Sequence, residues 1–219
     1  MNQIAAREGP DTTSRDEILA TAAQCFMERG YFSSSIDDVA RRMGSTKGRI
    51  YHHYPSKADL FFAVYRRGMQ LNRLAVAPHL ESGEPAAVRL RAMAEGHCRS
   101  MVESRPFQRV VWEGVELHMR GATTPEQRET LAELVAIRSD YSGLFRSVMK
   151  EAVREGSLPG DRPLGVAEQL MFLTLNAPVF GLAPREGDGK AERERIIRQC
   201  VDFAMRGLGL KEIEREEKK

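Results

Sequence analysis

An all-α fold is predicted by three observations. Apolar residues recur at three- and four-residue spacing through most of the chain, the ten prolines and eighteen glycines fall mostly between those periodic segments, and valine-rich alternating runs bounded by turns are hard to find. With 219 residues, 42% of them hydrophobic and 29% charged, the chain can bury the core of one large or two small domains. That excludes a disordered or collagen-like protein. No apolar run reaches the length of a membrane helix and the first residues lack the apolar stretch of a secretory signal, so a soluble, cytoplasmic protein is expected. Cys25, Cys98 and Cys200 lie far apart among apolar neighbours, which argues against disulfides and a zinc cage. A net charge of +2 predicts no bulk attraction to nucleic acid, so any such role must come from local charge.

Residues 1–13 contain Gly9-Pro10 and little apolar content and read as a flexible N-terminal arm. From Ser14 to Arg29, Ile18, Leu19, Ala22, Cys25 and Phe26 line one helical face, Ser14 is placed to cap with Glu17, and Gly30 closes the segment. A short second helix follows Ser35, whose hydroxyl and Asp38 form a capping box, with Ile36, Val39, Ala40 and Met43 inward and a stop at Gly44. A third begins near Thr46 and ends before Pro55; it is too short to persist unless packed. Ser56, capping against Asp59, starts a long helix with Leu60, Phe61, Val64 and Leu71 that runs to about Pro78. Helices are further predicted near 85–104, 106–120, 125–156, 163–181 and 190–208. The domain division predicted is 14–56 for the three-helix unit, 57–210 for the larger helical domain and 211–219 for a charged tail.

The segment Ile36 to Tyr54 has the spacing of a helix-turn-helix. Small Ala40 allows a close helix crossing, Gly44 permits positive φ in the turn, and Ile50 returns from the second helix to the shared core. Between Val39 and Ala58 the charged residues are Arg41, Arg42, Lys47, Arg49 and Lys57, all basic. The short helix from Thr46 to Tyr54 carries small, hydroxyl, basic and aromatic residues, the composition of a helix that enters a DNA groove. Gly48 admits a phosphate close to the backbone, Thr46 offers a hydroxyl, and the Arg49 fork suits guanine O6 and N7. Tyr51 and His52 suit phosphates or a thymine methyl, while Ser34, Ser35 and Lys57 are placed to anchor the flanking backbone. The other reading of the same charges is a solvated basic face.

The stretch SSSIDDVARRMGSTKGRIYHHYPSKADLFFAVY resembles the DNA-binding domain of the TetR/AcrR family of transcriptional repressors. The resemblance covers roughly residues 14–65 and rests on the turn, the Lys47–Tyr51 run, the aromatic at Tyr54 and Ser56–Leu60 in register. It implies DNA contacts from Ser35, Thr46, Lys47, Gly48, Arg49, Tyr51, His52 and Lys57. Two positions depart from the family pattern: Ser45 stands where an aliphatic residue is more common, and Tyr54 where phenylalanine is usual. For the rest of the chain the resemblance implies only a helical effector-binding domain whose last two helices pair with their twins in a homodimer.

The residues support that plan independently. Val166, Ala167, Leu170, Met171, Phe172, Leu173, Leu175 and Ala177 leave one helix apolar nearly all round, and the last helix adds Ile196, Ile197, Cys200, Val201, Phe203, Ala204, Met205 and Leu208. Leu170, Leu173, Ile197, Val201, Ala204 and Leu208 are the predicted dimer contacts. An apolar effector pocket is expected from Met69, Met93, Met101, Phe107, Trp112, Met119, Tyr141, Phe145, Met149, Met171 and Phe172, with His97, Glu113, Glu116 and Asn176 as polar anchors; ordinary core is the competing reading for each. The histidines lack metal spacing, and no nucleophile motif, phosphate loop or carboxylate pair points to catalysis, so neither a cofactor nor an enzyme is expected.

The function predicted is a ligand-responsive repressor: a homodimer on an inverted-repeat operator, released when a hydrophobic small molecule tilts the helix that begins at Ser56. The Leu173–Asn176 run and the Gly-containing loop after it loosely resemble members that respond to acyl-CoA or lipid-derived effectors, and a hydrophobic drug or aromatic metabolite suits the same residues. Two alternatives remain: a helical carrier or enzyme whose basic helix holds an anionic substrate, and a DNA-binding regulator without a ligand.

Overall fold

The computed structural model describes residues 10–121, 124–185 and 187–211. The expected arm before Pro10 and the tail after Lys211 lie outside them. Among the described residues there is no strand; the elements are α1 (Pro10–Ser33), α2 (Ile36–Arg42), α3 (Lys47–His53), α4 (Lys57–Leu80), α5 (Ala86–Glu103), α6 (Arg105–Arg120), α7 (Pro125–Arg154), α8 (Leu164–Leu175), a short 3-10 turn (Ala177–Val179) and α9 (Lys190–Leu208). No described helix is long and apolar enough to cross a membrane.

Three boundaries differ from the sequence reading for identifiable reasons. α1 starts at Pro10, a residue suited to a first helical turn because its missing N–H has no partner there, so Ser14 lies inside the helix and does not cap it. The element runs on to Ser33, past the expected end at Arg29, but Gly30, at φ 76°, is non-helical and closes the first stretch as the sequence reading had it; a side chain there would be strained. The helix expected to reach 181 ends at Leu175: Asn176 caps it and Pro178 sits in the 3-10 turn.

The chain folds as two compact units. The first comprises residues up to Gly68 together with Pro106–Leu134, the second Met69–Arg105 together with Val135 onward. This division departs from the expected break at residue 56, because α4 begins inside the first unit, where Leu60, Phe61, Val64 and Tyr65 are buried. The core of that unit also takes Ile18, Ala22, Ala23, Phe26, Val39, Ile50, Val110, Leu131 and Leu134. Phe26, Tyr31 and Phe61 pack edge to face, with ring centroids 5.3 Å apart for Phe26–Phe61 and 4.9 Å for Tyr31–Phe61.

In the second unit α9 packs on α5 and α8. Leu90, Met93, Ala94, Phe145, Met149, Met171, Leu175, Val201 and Met205 are buried. Ion pairs mark the α5–α9 seam: Arg91 holds Asp202 at 2.8 Å, and Arg99 holds Glu194. Gly209, at φ 73°, closes α9 with left-handed geometry. The three cysteines are free and buried, and the neighbouring Cys200 together with burial pushes the Cys98 thiol pKa up.

Candidate nucleic-acid interface and effector region

The local chain dictates the shape of the reading head. The Ser35 hydroxyl accepts from the Asp38 amide at 3.1 Å while the Asp38 carboxylate accepts from the Ser35 amide at 3.0 Å, completing the predicted capping box. The same hydroxyl holds the Asp38 carboxyl below the usual carboxylate range. α2 ends at Met43; Gly44 takes φ 62°, and the Ser45 amide donates back to the Ala40 carbonyl at 2.9 Å. α3 then leaves the turn with Ile50 fully buried and Thr46, Lys47, Gly48, Tyr51 and His52 exposed. Thr46 sits at the N-cap without a side-chain capping bond, so its hydroxyl has no capping task.

The remaining expected DNA contacts are placed differently. Ser34 is buried, and its hydroxyl lies 2.7 Å from the Gly30 carbonyl and 3.2 Å from that of Cys25, so it ties off the end of α1 and offers nothing to a phosphate. The Lys57 ammonium donates to the carbonyls of Tyr31 (2.8 Å), Ser34 (3.0 Å) and Phe32 (3.4 Å), and lies 4.5 Å from the centre of the Tyr31 ring. It satisfies carbonyls of the last turn of α1 and the loop beyond it, with which a DNA phosphate would have to compete. Arg49 is half-buried against α1: its Nη2 donates to Glu17 at 2.7 Å, and Nε and Nη2 reach the Ser14 hydroxyl at 3.3 and 3.2 Å.

The basic run between residues 39 and 58 is therefore not bare charge. Arg41 pairs with Asp38 at 3.3 Å, Arg42 with Glu28 at 2.6 Å, Lys47 with Asp37 at 3.7 Å and Arg49 with Glu17 at 2.7 Å. Those carboxylates come from α1 and from the first turn of α2, earlier in the chain than the window in which the basic residues stand out. Sequence reasoning missed Glu17 and Ser14 as members of this face. Their spacing of one helical turn on α1 was the available signal.

The predicted effector residues separate into two groups. In the second unit His97, Tyr141, Phe145, Phe172 and Asn176 come together: His97 Nδ1 lies 2.8 Å from the Tyr141 hydroxyl and Nε2 lies 3.2 Å from Asn176 Oδ1. Because an amide oxygen only accepts, Nε2 donates and Nδ1 accepts from the tyrosine, which assigns the neutral Nε2-H tautomer. Burial lowers the His97 pKa to about 4 and pushes the Tyr141 phenol well up. The Phe145 and Phe172 rings stand 4.9 Å apart, and Phe172 lies 5.1 Å from the imidazole. Met69, Met93 and Met101 are buried in the same unit.

Trp112, Glu113 and Glu116 belong to the first unit and are not part of that cluster. They line a small cleft of about 260 Å³ with Phe26, Glu28, Gly30 and Arg109. Glu113 Oε1 accepts the Tyr31 amide at 2.5 Å, and burial raises its carboxyl pKa despite that bond. Glu116 faces solvent and pairs with Arg120. The second unit also opens a cleft of about 610 Å³ between α4 and α5, lined by Leu71, Ala75, His79, Gly96, Arg99 and Ser100. Sequence reasoning did not find it; Gly96 inside a helix, approaching the Ala75 carbonyl so closely that a Cβ would lie 2.4 Å from it, was the signal.

Of the predicted dimer residues, Leu170 and Leu173 are 59% and 62% exposed, whereas Ile197, Val201, Ala204 and Leu208 are buried within the chain. The α9 residue that shares the exposed face is Phe203, 71% exposed, and with Val166, Leu170 and Leu173 it borders an apolar groove of about 420 Å³.

A short capped helix, a glycine turn and a second helix exposing groove-compatible side chains define a helix-turn-helix DNA-binding protein. Residues 18–64 match the family described as bacterial regulatory proteins, tetR family, and residues 83–208 match the tetracyclin repressor-like C-terminal domain. The second match alone spans more than half of the chain, and the chain belongs to the TetR family of transcriptional regulators, non-enzymatic proteins that act by binding DNA. The transcriptional activator FasR of Mycolicibacterium smegmatis is 24% identical over 91% of this chain and 84% of its own. The transcriptional repressor BepR of Brucella suis is 27% identical over 73% of this chain and 75% of its own. Among solved structures, AibR in complex with isovaleryl coenzyme A and operator DNA superposes with a TM-score of 0.65 at 25% identity, covering 87% of this chain and 97% of that one.

Proposed function

We propose that this chain is a homodimeric, effector-released repressor that reads an inverted-repeat operator with α3. The observation that carries the reading is α3 itself: Ile50 is buried while Thr46, Lys47, Gly48, Tyr51 and His52 share the exposed surface. Ser35 joins them at the start of α2, and Arg49 joins once it leaves Glu17. Two such helices would meet successive major grooves about 34 Å apart. Repression needs only occupancy of a promoter; FasR is named an activator and BepR a repressor, so a reporter with the operator placed over and upstream of a promoter decides the sign for this chain.

The effector we propose is an acyl thioester or related lipid-derived molecule. AibR, solved with isovaleryl coenzyme A, supports this class, and so does a second unit with an open α4–α5 cleft beside a buried aromatic cluster. α4 has residues in both units, so a change of its tilt would pass from effector region to reading head. A regulator that takes no effector is favoured by one observation: His97, Tyr141 and Asn176 satisfy one another without help.

Selection of random duplex DNA by the purified protein at near-physiological salt tests the central reading, with an enriched inverted repeat expected. The selected duplex is then titrated with isovaleryl coenzyme A, other acyl thioesters, the free acids and coenzyme A alone. Release and a thermal shift with thioesters only are expected; release by none, with unchanged melting, would favour the effector-free reading.

A further inference from the structure

We propose that Glu17 is a specificity-determining residue: by holding Arg49 on α1 it withholds this arginine from ordinary DNA phosphates and yields it only to a base pair that can take both of its N–H bonds. The proposal deepens the reading of α3 as the DNA-contacting helix and rests on it. Its basis is the geometry of one guanidinium. Arg49 Nη2 carries two hydrogens; one engages Glu17 Oε2 at 2.7 Å and the other, with Nε–H, faces the Ser14 hydroxyl at 3.2 and 3.3 Å. A guanidinium can meet guanine O6 and N7 with its Nη1–Nη2 edge or with its Nε–Nη2 edge. Both edges use an Nη2 hydrogen, so no two-bond contact forms while both α1 partners are kept.

The competition is graded by what the DNA offers. Glu17 is itself half exposed and negatively charged, so it repels phosphate while it attracts Arg49. The two non-bridging oxygens of a phosphodiester can also take the fork, but the Glu17 carboxylate opposes their negative charge, as it does not oppose a neutral guanine edge. A guanine edge gives two bonds, together with the register fixed by the rest of α3. The pairs Arg41–Asp38, Arg42–Glu28 and Lys47–Asp37 place the rest of the face under the same restraint, which keeps sequence-independent affinity low. Arg49 differs from them in having its side chain anchored at three N–H···O contacts from one helix turn of α1.

The test uses the full-length protein and its Glu17→Gln, Ser14→Ala, Arg49→Ala and Glu17→Gln/Arg49→Ala variants. Dissociation constants are measured across a salt series on the selected duplex and on an unrelated duplex of equal length. Glu17→Gln is expected to tighten the unrelated duplex about threefold to fivefold, the scale of an exposed ion pair, and to steepen its salt dependence by about one ion. The selected duplex gains less, so the ratio of the two constants falls; Ser14→Ala moves the ratio the same way by a smaller factor. In the Arg49→Ala background Glu17→Gln is expected to tighten both duplexes slightly and alike, by removing a charge that repels phosphate, and to leave their ratio unchanged. The proposal is overturned if Glu17→Gln leaves the ratio unchanged, weakens the selected duplex alone, or lowers the ratio as much with Arg49 absent as with it present. If the unmodified protein enriches no duplex, the DNA-binding reading fails and the proposal falls with it; enrichment with an unchanged ratio removes the proposal alone.

Discussion

His97 and Lys57 carry side chains whose titration or removal has a definite sign. Burial holds His97 neutral with a pKa of about 4 against an ordinary value of 6.5. Below 6.5 the unfolded chain takes up a proton that the folded chain refuses, so this contribution to stability is complete above pH 6.5 and is lost as pH falls toward 4. Chemical unfolding followed from pH 7.5 to 4 is expected to show a loss of roughly 3 kcal/mol from this group, and the loss should be absent in His97→Phe; an unchanged profile in that variant would refute the assignment. Lys57 has the opposite character: its charge is spent on carbonyls of Tyr31, Phe32 and Ser34. Lys57→Met is expected to destabilise the protein by about 1–3 kcal/mol by leaving those carbonyls unpaired, with lowered melting as the first symptom. From the sequence, Lys57 was indistinguishable from a phosphate contact, because a partner three helices earlier in the chain leaves no local mark. The hold of Glu17 and Ser14 on Arg49 was hidden for the same reason. Ser35 and Ser56, by contrast, bond within three residues of themselves, and both caps were legible.

At the scale of elements, periodicity revealed nearly every helix, and what it missed were the places where two helices touch. A Cβ on Gly114 would lie 2.6 Å from the Tyr65 ring, and one on Gly68 would lie 2.8 Å from Val111, so α4 and α6 cross closely at two glycines. Nothing in the sequence separates these two from glycines that a helix merely tolerates. Neither has a positive φ, so their requirement is space and not conformation. Gly68→Ala and Gly114→Ala are each expected to cost about 1–3 kcal/mol by overpacking, although alanine is the better helix former, and thermal melting of the two variants checks the sign. Stabilisation would mean that the crossing yields easily. The division of the chain was hidden for a related reason: helices α4, α6 and α7 each contribute residues to both units, and although Gly68 and Pro106 stand at two of the crossing points, the helices run on through them and Leu134–Val135 carries no mark at all.

For the whole molecule, the apolar residues on α8 and α9 divide in a way composition did not disclose. An apolar helix says that it is covered, not by what. Ile197 and Val201 are buried inside the chain, Ala204 and Leu208 are nearly buried at the floor of one groove, and Val166, Leu170, Leu173 and Phe203 stand exposed around it. An exposed apolar face of this kind is expected to meet a partner, and a second copy presenting the same face would bury it by two-fold symmetry. The two sets of residues should then fail differently. Leu170→Glu and Phe203→Glu are expected to leave helicity and melting of the chain near their original values at low concentration while shifting sedimentation from dimer to monomer. Because half-sites would then be bound singly, the steep dependence of operator occupancy on protein concentration should flatten. Ile197→Ala, a change in the interior, is expected to cost about 2–5 kcal/mol and to lower melting without selectively dissociating the assembly. A Phe203→Glu protein that sediments as a dimer would place the subunit contact elsewhere, and the groove between α8 and α9 would need another occupant.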